Sequence, residues 1–144
     1  MTSEFALISC VVLVAQGDLA EPTPMNLAQL QQAFSWDFDA PIDVQTVADG
    51  LQVSFGIGGN IAVLIGKSVV LVVDDQFSEL IAKVNHAIAE LRGGAVNLAI
   101  NAHRHFDHAG GNKELSPAGT WIVCNVHAVE MMPKNNIINL VIAM

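Results

Sequence analysis

Cations are scarce. The 144 residues hold six Lys and Arg against 14 Asp and Glu, for a formal net charge of −8. Binding nucleic acid needs a basic footprint to neutralise phosphates, so no such partner is expected. Cysteine is nearly absent, with only Cys10 and Cys124. Cys10 falls in an N-terminal apolar run of the kind removed on export, which leaves one thiol and no internal bridge. Cys124 sits in an apolar stretch and reads as a small core filler. Long apolar runs are missing too. The longest, Phe5 to Ala15, is too short to cross a bilayer, and Ile137 to Met144 is shorter still. A dinucleotide fingerprint is also lacking: in Gly56-Ile57-Gly58-Gly59-Asn60 the last required glycine would fall at Ile61, with no helix to follow. Charged residues make up only 14% and hydrophobic ones 52%. That balance excludes a disordered chain and suffices for one domain with a core.

What is present can be taken in order. Phe5 to Gln16 reads as the apolar region of a secretory signal, with Ala15-Gln16-Gly17 offering small residues for cleavage. Residues 1–17 are therefore assigned to a signal peptide and the mature protein to the periplasm or the exterior. The leading Met1-Thr2-Ser3-Glu4 carries no cation, so a cytoplasmic protein with an N-terminal strand or helix is the other reading. Residues 18–43 read as a proline-bearing linker and a short helix from Met25 to Phe34. Trp36 and Phe38 are expected to pack on the sheet, with the lining of a substrate mouth as the alternative.

From Val44 the pattern is that of strands. Val44 to Val53 alternates loosely around Asp49-Gly50, a hairpin signal, and Val53 to Ile57 continues extended. Ile61 to Ile65 and Ser68 to Val73 are unbroken apolar runs, which predicts a sheet buried on both faces. Phe77 to Arg92 is the clearest helix. Phe77, Leu80, Ile81, Val84, Ile88 and Leu91 recur at helical spacing, and Gly93 supplies the stop. His86 lies off that stripe. The strand–helix–strand order returns Val96 to Ala102 parallel to its predecessor. Gly110-Gly111-Asn112 then turns into a short helix through Leu115. Trp121 to Cys124 reads as a strand, and Val126 to Met132 as a helix ending before Pro133.

The chemistry lies between the strand Val96–Ala102 and the two glycines. His103-Arg104-His105-Phe106-Asp107-His108 places four ligand-type residues in the pattern H-x-H-x-D-H. Alternate side chains of extended backbone share a side, so His103 and His105 are expected to reach one ion together. Asp107 and His108 follow at the turn and would reach a second. Imidazole and carboxylate suit zinc, and do not exclude iron or manganese. Ligand sites in such sheets collect at the carboxyl ends of strands, where this loop begins and where Asp74 ends the preceding parallel strand. His127, after the next strand, is a weaker candidate ligand.

His103 to Asn112 resembles the signature T-H-x-H-x-D-H-x-G-G-N of the metallo-β-lactamase-fold superfamily, with Ala102 where Thr is common. Gly59-Asn60-Ile61-Ala62-Val63 and Leu71-Val72-Val73-Asp74-Asp75 resemble that family's early strands. The likeness runs over 44–134, about the family's first half. It implies an α+β fold: the N-terminal half of an αββα sandwich, a mixed sheet with flanking helices. It also implies one or two zinc ions (iron or manganese in some members) on His103, His105, Asp107 and His108. Asp107 would act as the catalytic carboxylate that orients the attacking water, and Asp74 would steady the metal loop from behind, although capping the following helix is its other reading. The reaction implied is hydrolysis of a small molecule by water activated between the ions, attacking a carbonyl or phosphoryl centre.

Later ligands of that family are a His, a bridging Asp or Cys, and a final His. Beyond His108 this sequence offers only His127 and no Asp, and residues 135–144 are unlike the family. A truncated or frame-shifted member is therefore expected, with its open sheet face driving self-association. An inactive remnant acting as an interaction module, and an iron-dependent oxidoreductase of the same fold, are the competing readings.

Overall fold

The computed structural model describes residues 27–91 and 93–132. The expected signal peptide of 1–17, the linker to Pro24, Met25, Arg92 and the tail 135–144 lie outside these residues. Six strands form one mixed sheet in chain order: β1 (Asp43–Ala48), β2 (Leu51–Phe55), β3 (Asn60–Ile65), β4 (Val70–Val73), β5 (Leu98–Ile100) and β6 (Trp121–Val123). The first four meet antiparallel through short turns, and β4, β5 and β6 run parallel. Gly50, at φ +73°, closes the β1–β2 hairpin where the Asp-Gly signal predicts it.

Helix α1 (Leu27–Phe34) precedes the sheet, and α2 (Ile81–Glu90), entered through a 3₁₀ turn at Ser78–Leu80, makes the crossover from β4 to β5. Ile81, Val84 and Ile88 form its buried stripe. Removing each from water stabilises the fold by about 1.5–3 kcal/mol. The helix ends where expected: the Gly93 N–H bonds Ile88 O at 2.9 Å, capping an otherwise unpaired carbonyl. Three short helices follow: α3 (Phe106–Ala109), α4 (Asn112–Leu115) and α5 (Val126–Met131).

The core joins α2 to one face of the sheet, through Ile61, Val63, Val70, Val72, Ala99 and the helix stripe, with Leu115 and Val96 at its margin. The other face departs from the burial on both sides that the unbroken apolar runs suggest, and agrees with the open face expected of half a sandwich. Register aligns Leu51, Leu64, Leu71, Leu98 and Trp121 in one row across five strands, and Val53, Ala62, Val73, Ile100 and Val123 in the next. None of the ten is fully buried, and Trp121 is 78% exposed. The apolar runs are continuous because both faces are apolar, but the described chain folds a helix over only one of them.

Trp36 and Phe38 pack on Phe77, at the head of the 3₁₀ turn, with ring centroids 5.1 Å away in each case. Lys83 fixes the same stretch by donating from Nζ to Phe38 O (2.6 Å) and Ala40 O (2.9 Å).

Candidate metal centre

Strands β4 and β5 run parallel and end side by side, and everything in the site hangs from those two ends. After Val73 the chain bends sharply. Asp74 takes φ +64° and Gln76 φ +55°, both in the left-handed region that non-glycine residues rarely enter. After Ile100 it leaves as Asn101 and Ala102, bends through His103–His105, and enters α3.

Because residues 102–105 bend instead of continuing as strand, the alternation argument does not govern His103 and His105. The one-turn helix α3 redirects Asp107 and His108 toward His103. Ligand atoms of His103, Asp107 and His108 all lie within 4.8 Å of one another. The grouping therefore cuts across the two pairs that spacing suggests. His105 stands outside it, though its ring centroid is 4.8 Å from that of His103. The His103 and His108 rings are closer, at 3.8 Å. His127 lies elsewhere, 84% exposed on α5 beside Glu130. His86 pairs with Glu90 on the outer surface of α2.

Asp74 does not cap the helix. Its Oδ1 accepts the Ala102 N–H at 2.7 Å, and its Oδ2 sits 2.8 Å from His108 Nδ1. With the Nδ1 proton given to Asp74, Nε2 of His108 presents its lone pair, 3.6 Å from Asp107 Oδ2. A carboxylate behind a histidine is the usual way to fix a ligand's tautomer and ring direction. His103 is held below the ordinary histidine value, first by partial desolvation and then by the neighbouring His108 and His105. A neutral imidazole is the form that binds a cation.

The donor set fits a divalent ion. Two atoms each about 2.1 Å from one zinc are at most about 4.2 Å apart, so small side-chain rotations would close the 4.8 Å group. Its chemistry, two imidazoles and a carboxylate, matches catalytic zinc with three protein ligands. Glycines bring the β2–β3 turn against it: a Cβ on Gly58 would sit 3.2 Å from Asp107 Cβ, and one on Gly59 would sit 4.0 Å from His108 Cε1.

Beneath the loop lies a polar cluster that motif reading overlooks. Asp75 is 1% exposed and Asn101 4% exposed. Burial raises the Asp75 carboxyl to about 6, against the opposing effect of its Asn101 and Gly111 hydrogen bonds. Since the folded value lies above the unfolded one, the stability linked to this group is fully present below the unfolded value and lost as pH rises through about 6. The sequence signal for it is the doubled acid at the end of an apolar strand.

Sequence comparison finds no protein family and no curated protein that matches the chain. Solved structures do match. The metallo-β-lactamase FIM-1 from Pseudomonas aeruginosa, in its mono-zinc form, superposes with a TM-score of 0.60 at 17% identity, over 69% of this chain and 48% of that one. A metallo-β-lactamase from Erythrobacter litoralis gives 0.58 at 20% identity, over 65% and 46%. MEM-A1, a subclass B3 metallo-β-lactamase from a soil metagenome library, gives 0.61 at 22% identity, over 69% and 39%. The chain thus has the metallo-β-lactamase fold across its matched part, and it spans less than half the length of each of these structures.

Proposed function

We propose that the chain is a metal-dependent hydrolase whose ion, zinc in the first instance, is held by His103, Asp107 and His108, with His105 beside them for a second ion. The observation that carries this reading is the convergence of three ligand atoms at the carboxyl ends of parallel strands on a metallo-β-lactamase fold. A divalent ion there supplies Lewis acidity and makes water a nucleophile near neutral pH. The chain's own groups do the rest. Asp107 accepts a hydrogen from the attacking water and fixes its line of approach. Asp74 holds the His108 ring. Phe106, at the head of α3, packs its ring 5.5 Å from that of Phe77 and ties the loop to the 3₁₀ turn. The substrate is a small molecule with a scissile carbonyl or phosphoryl bond, and the structural neighbours make a lactam the first choice. The N-terminal apolar stretch makes the periplasm the proposed compartment.

Zinc titration of the full chain, followed by assay on a chromogenic lactam and a phosphodiester, tests this. About one equivalent of zinc is expected near pH 7, with turnover that disappears in Asp107→Ala. A chain that takes up no ion ends the proposal.

The apolar face is assigned to a second copy of the chain. Its two rows contain no charged residue, so pairing there sets no like charges of these rows against one another, and salt screens the repulsion from the net charge of −8. Two such faces can stack as sheets about 10 Å apart. Light scattering is expected to give a dimer that dissociates in Leu64→Asp. A monodisperse wild-type monomer contradicts this.

A further inference from the structure

We infer that Asp75 is a positioning residue for the ligand loop, acting on the loop's backbone where Asp74 acts on a side chain. This rests on the metal-centre reading above. Asp75 follows the left-handed Asp74 and precedes the left-handed Gln76, so the kinked backbone turns its carboxylate inward, under residues 101–111. Three bonds leave Asp75. Its N–H donates to His108 O at 2.9 Å. Its Oδ1 accepts the Gly111 N–H at 2.8 Å, a donor it shares with Gln76 O at the same distance, and its Oδ2 accepts from Asn101 Nδ2 at 3.1 Å. Asn101 extends the network: its Oδ1 accepts from Asn112 Nδ2 at 2.8 Å, and its Nδ2 also lies 3.4 Å from His108 O.

One carboxylate thus ties the entry of the loop, at Asn101, to its exit, at Gly111, while the same residue's amide holds the carbonyl of His108 between them. The span between the tied points contains His103, His105, Asp107 and His108. The anchor explains the glycine pair as well. A Cβ on Gly110 would sit 2.7 Å from Gln76 O, and one on Gly111 would sit 2.8 Å from Asp75 O. The loop packs directly on the backbone of the acidic kink, and side chains there would lift it away.

The bond pattern specifies a test. Asp75→Asn keeps one acceptor but turns an amide N–H₂ toward a donor. In the double variant Asp75→Asn/Asn101→Asp the two groups trade places. The new amide at 75 donates to the new carboxylate at 101, which still accepts from Asn112, and the Gly111 N–H keeps its acceptors; only the long contact from Asn101 Nδ2 to His108 O is given up.

Amide exchange of His108 to Gly111 in the metal-free full chain, zinc affinity by competition with a chromophoric chelator, and the metal-free thermal midpoint are the readouts. Asp75→Asn is expected to speed exchange about tenfold and weaken zinc about tenfold, with the midpoint within a few degrees of wild type. The swap is expected to restore both. Unchanged exchange and affinity in Asp75→Asn overturn the inference. So does a loss that merely tracks the thermal midpoint and is not rescued by the swap. If the wild type takes up no zinc, the metal-centre reading fails while the exchange comparison still decides the role of Asp75.

Discussion

On the proposed metal centre, zinc affinity is expected to fall by about a hundredfold or more in His108→Ala, while the fold persists. His108 contributes one of three converging ligand atoms, so its loss leaves a two-ligand site where catalytic zinc uses three. The effect should exceed the roughly 10–100-fold typical of removing an outer partner, and Asp74→Ala supplies that comparison. Its bond to His108 Nδ1 is direct, but the imidazole itself remains when the carboxylate is gone. His127→Ala is the control, since that exposed ring pairs only with Glu130 among the described contacts. Isothermal titration of the three variants orders them His108, Asp74, His127. Equal losses in all three would mean that the ion binds nonspecifically.

Gly111→Ala lowers stability by about 2–3 kcal/mol, with a drop in melting temperature of roughly 5–10 °C. Gly111 has φ −72°, which any residue can adopt, so the penalty is steric, not conformational. Its added methyl would meet Asp75 O at 2.8 Å and Ile81 Cγ1 at 2.9 Å. The first is backbone fixed by its own kink, and the second is a core side chain of α2 with 5% exposure. Neither can move aside cheaply in a close-packed interior. Gly94→Ala is the matched control, because nothing lies within 4 Å of a Cβ there. Its midpoint should stay within the scatter of surface substitutions, about ±0.5 kcal/mol. Thermal melts of both variants decide the matter, and a shift in Gly94→Ala as large as that in Gly111→Ala would refute the packing argument.

Much of this was legible in the sequence where local pattern and tertiary need agree. The α2 stripe of Ile81, Val84 and Ile88, the Asp49-Gly50 hairpin and the Gly93 stop each follow from a period or a residue with a special backbone range. The region of the site was legible too, because ligand-type residues crowd one loop. The grouping within it was not. Spacing predicts a shared direction for His103 and His105 only if the backbone stays extended, and it bends at 102–105 before the single turn of α3. The burial of one sheet face instead of two was hidden from the strand pattern and legible only through the resemblance to half a sandwich. An unbroken apolar strand reports that both faces can be buried, not that the chain supplies a cover for each. The anchor at Asp75 was out of reach because its partners, Asn101 and Gly111, are 26 and 36 residues away.

The outer rim of the sheet has a consequence of its own. β1 contains no buried residue, pairs among the described residues only with β2, and has an irregular register between Thr46 and Ala48. None of its own residues belongs to the core, and what holds it is mainly a ladder of hydrogen bonds, so this ribbon is expected to open below the cost of global unfolding. The ligand loop hangs from β4 and β5, at the other side of the sheet's interior, and does not share in that breathing. On warming, the margin is expected to open first, and the ligand loop to keep its geometry until the central strands part.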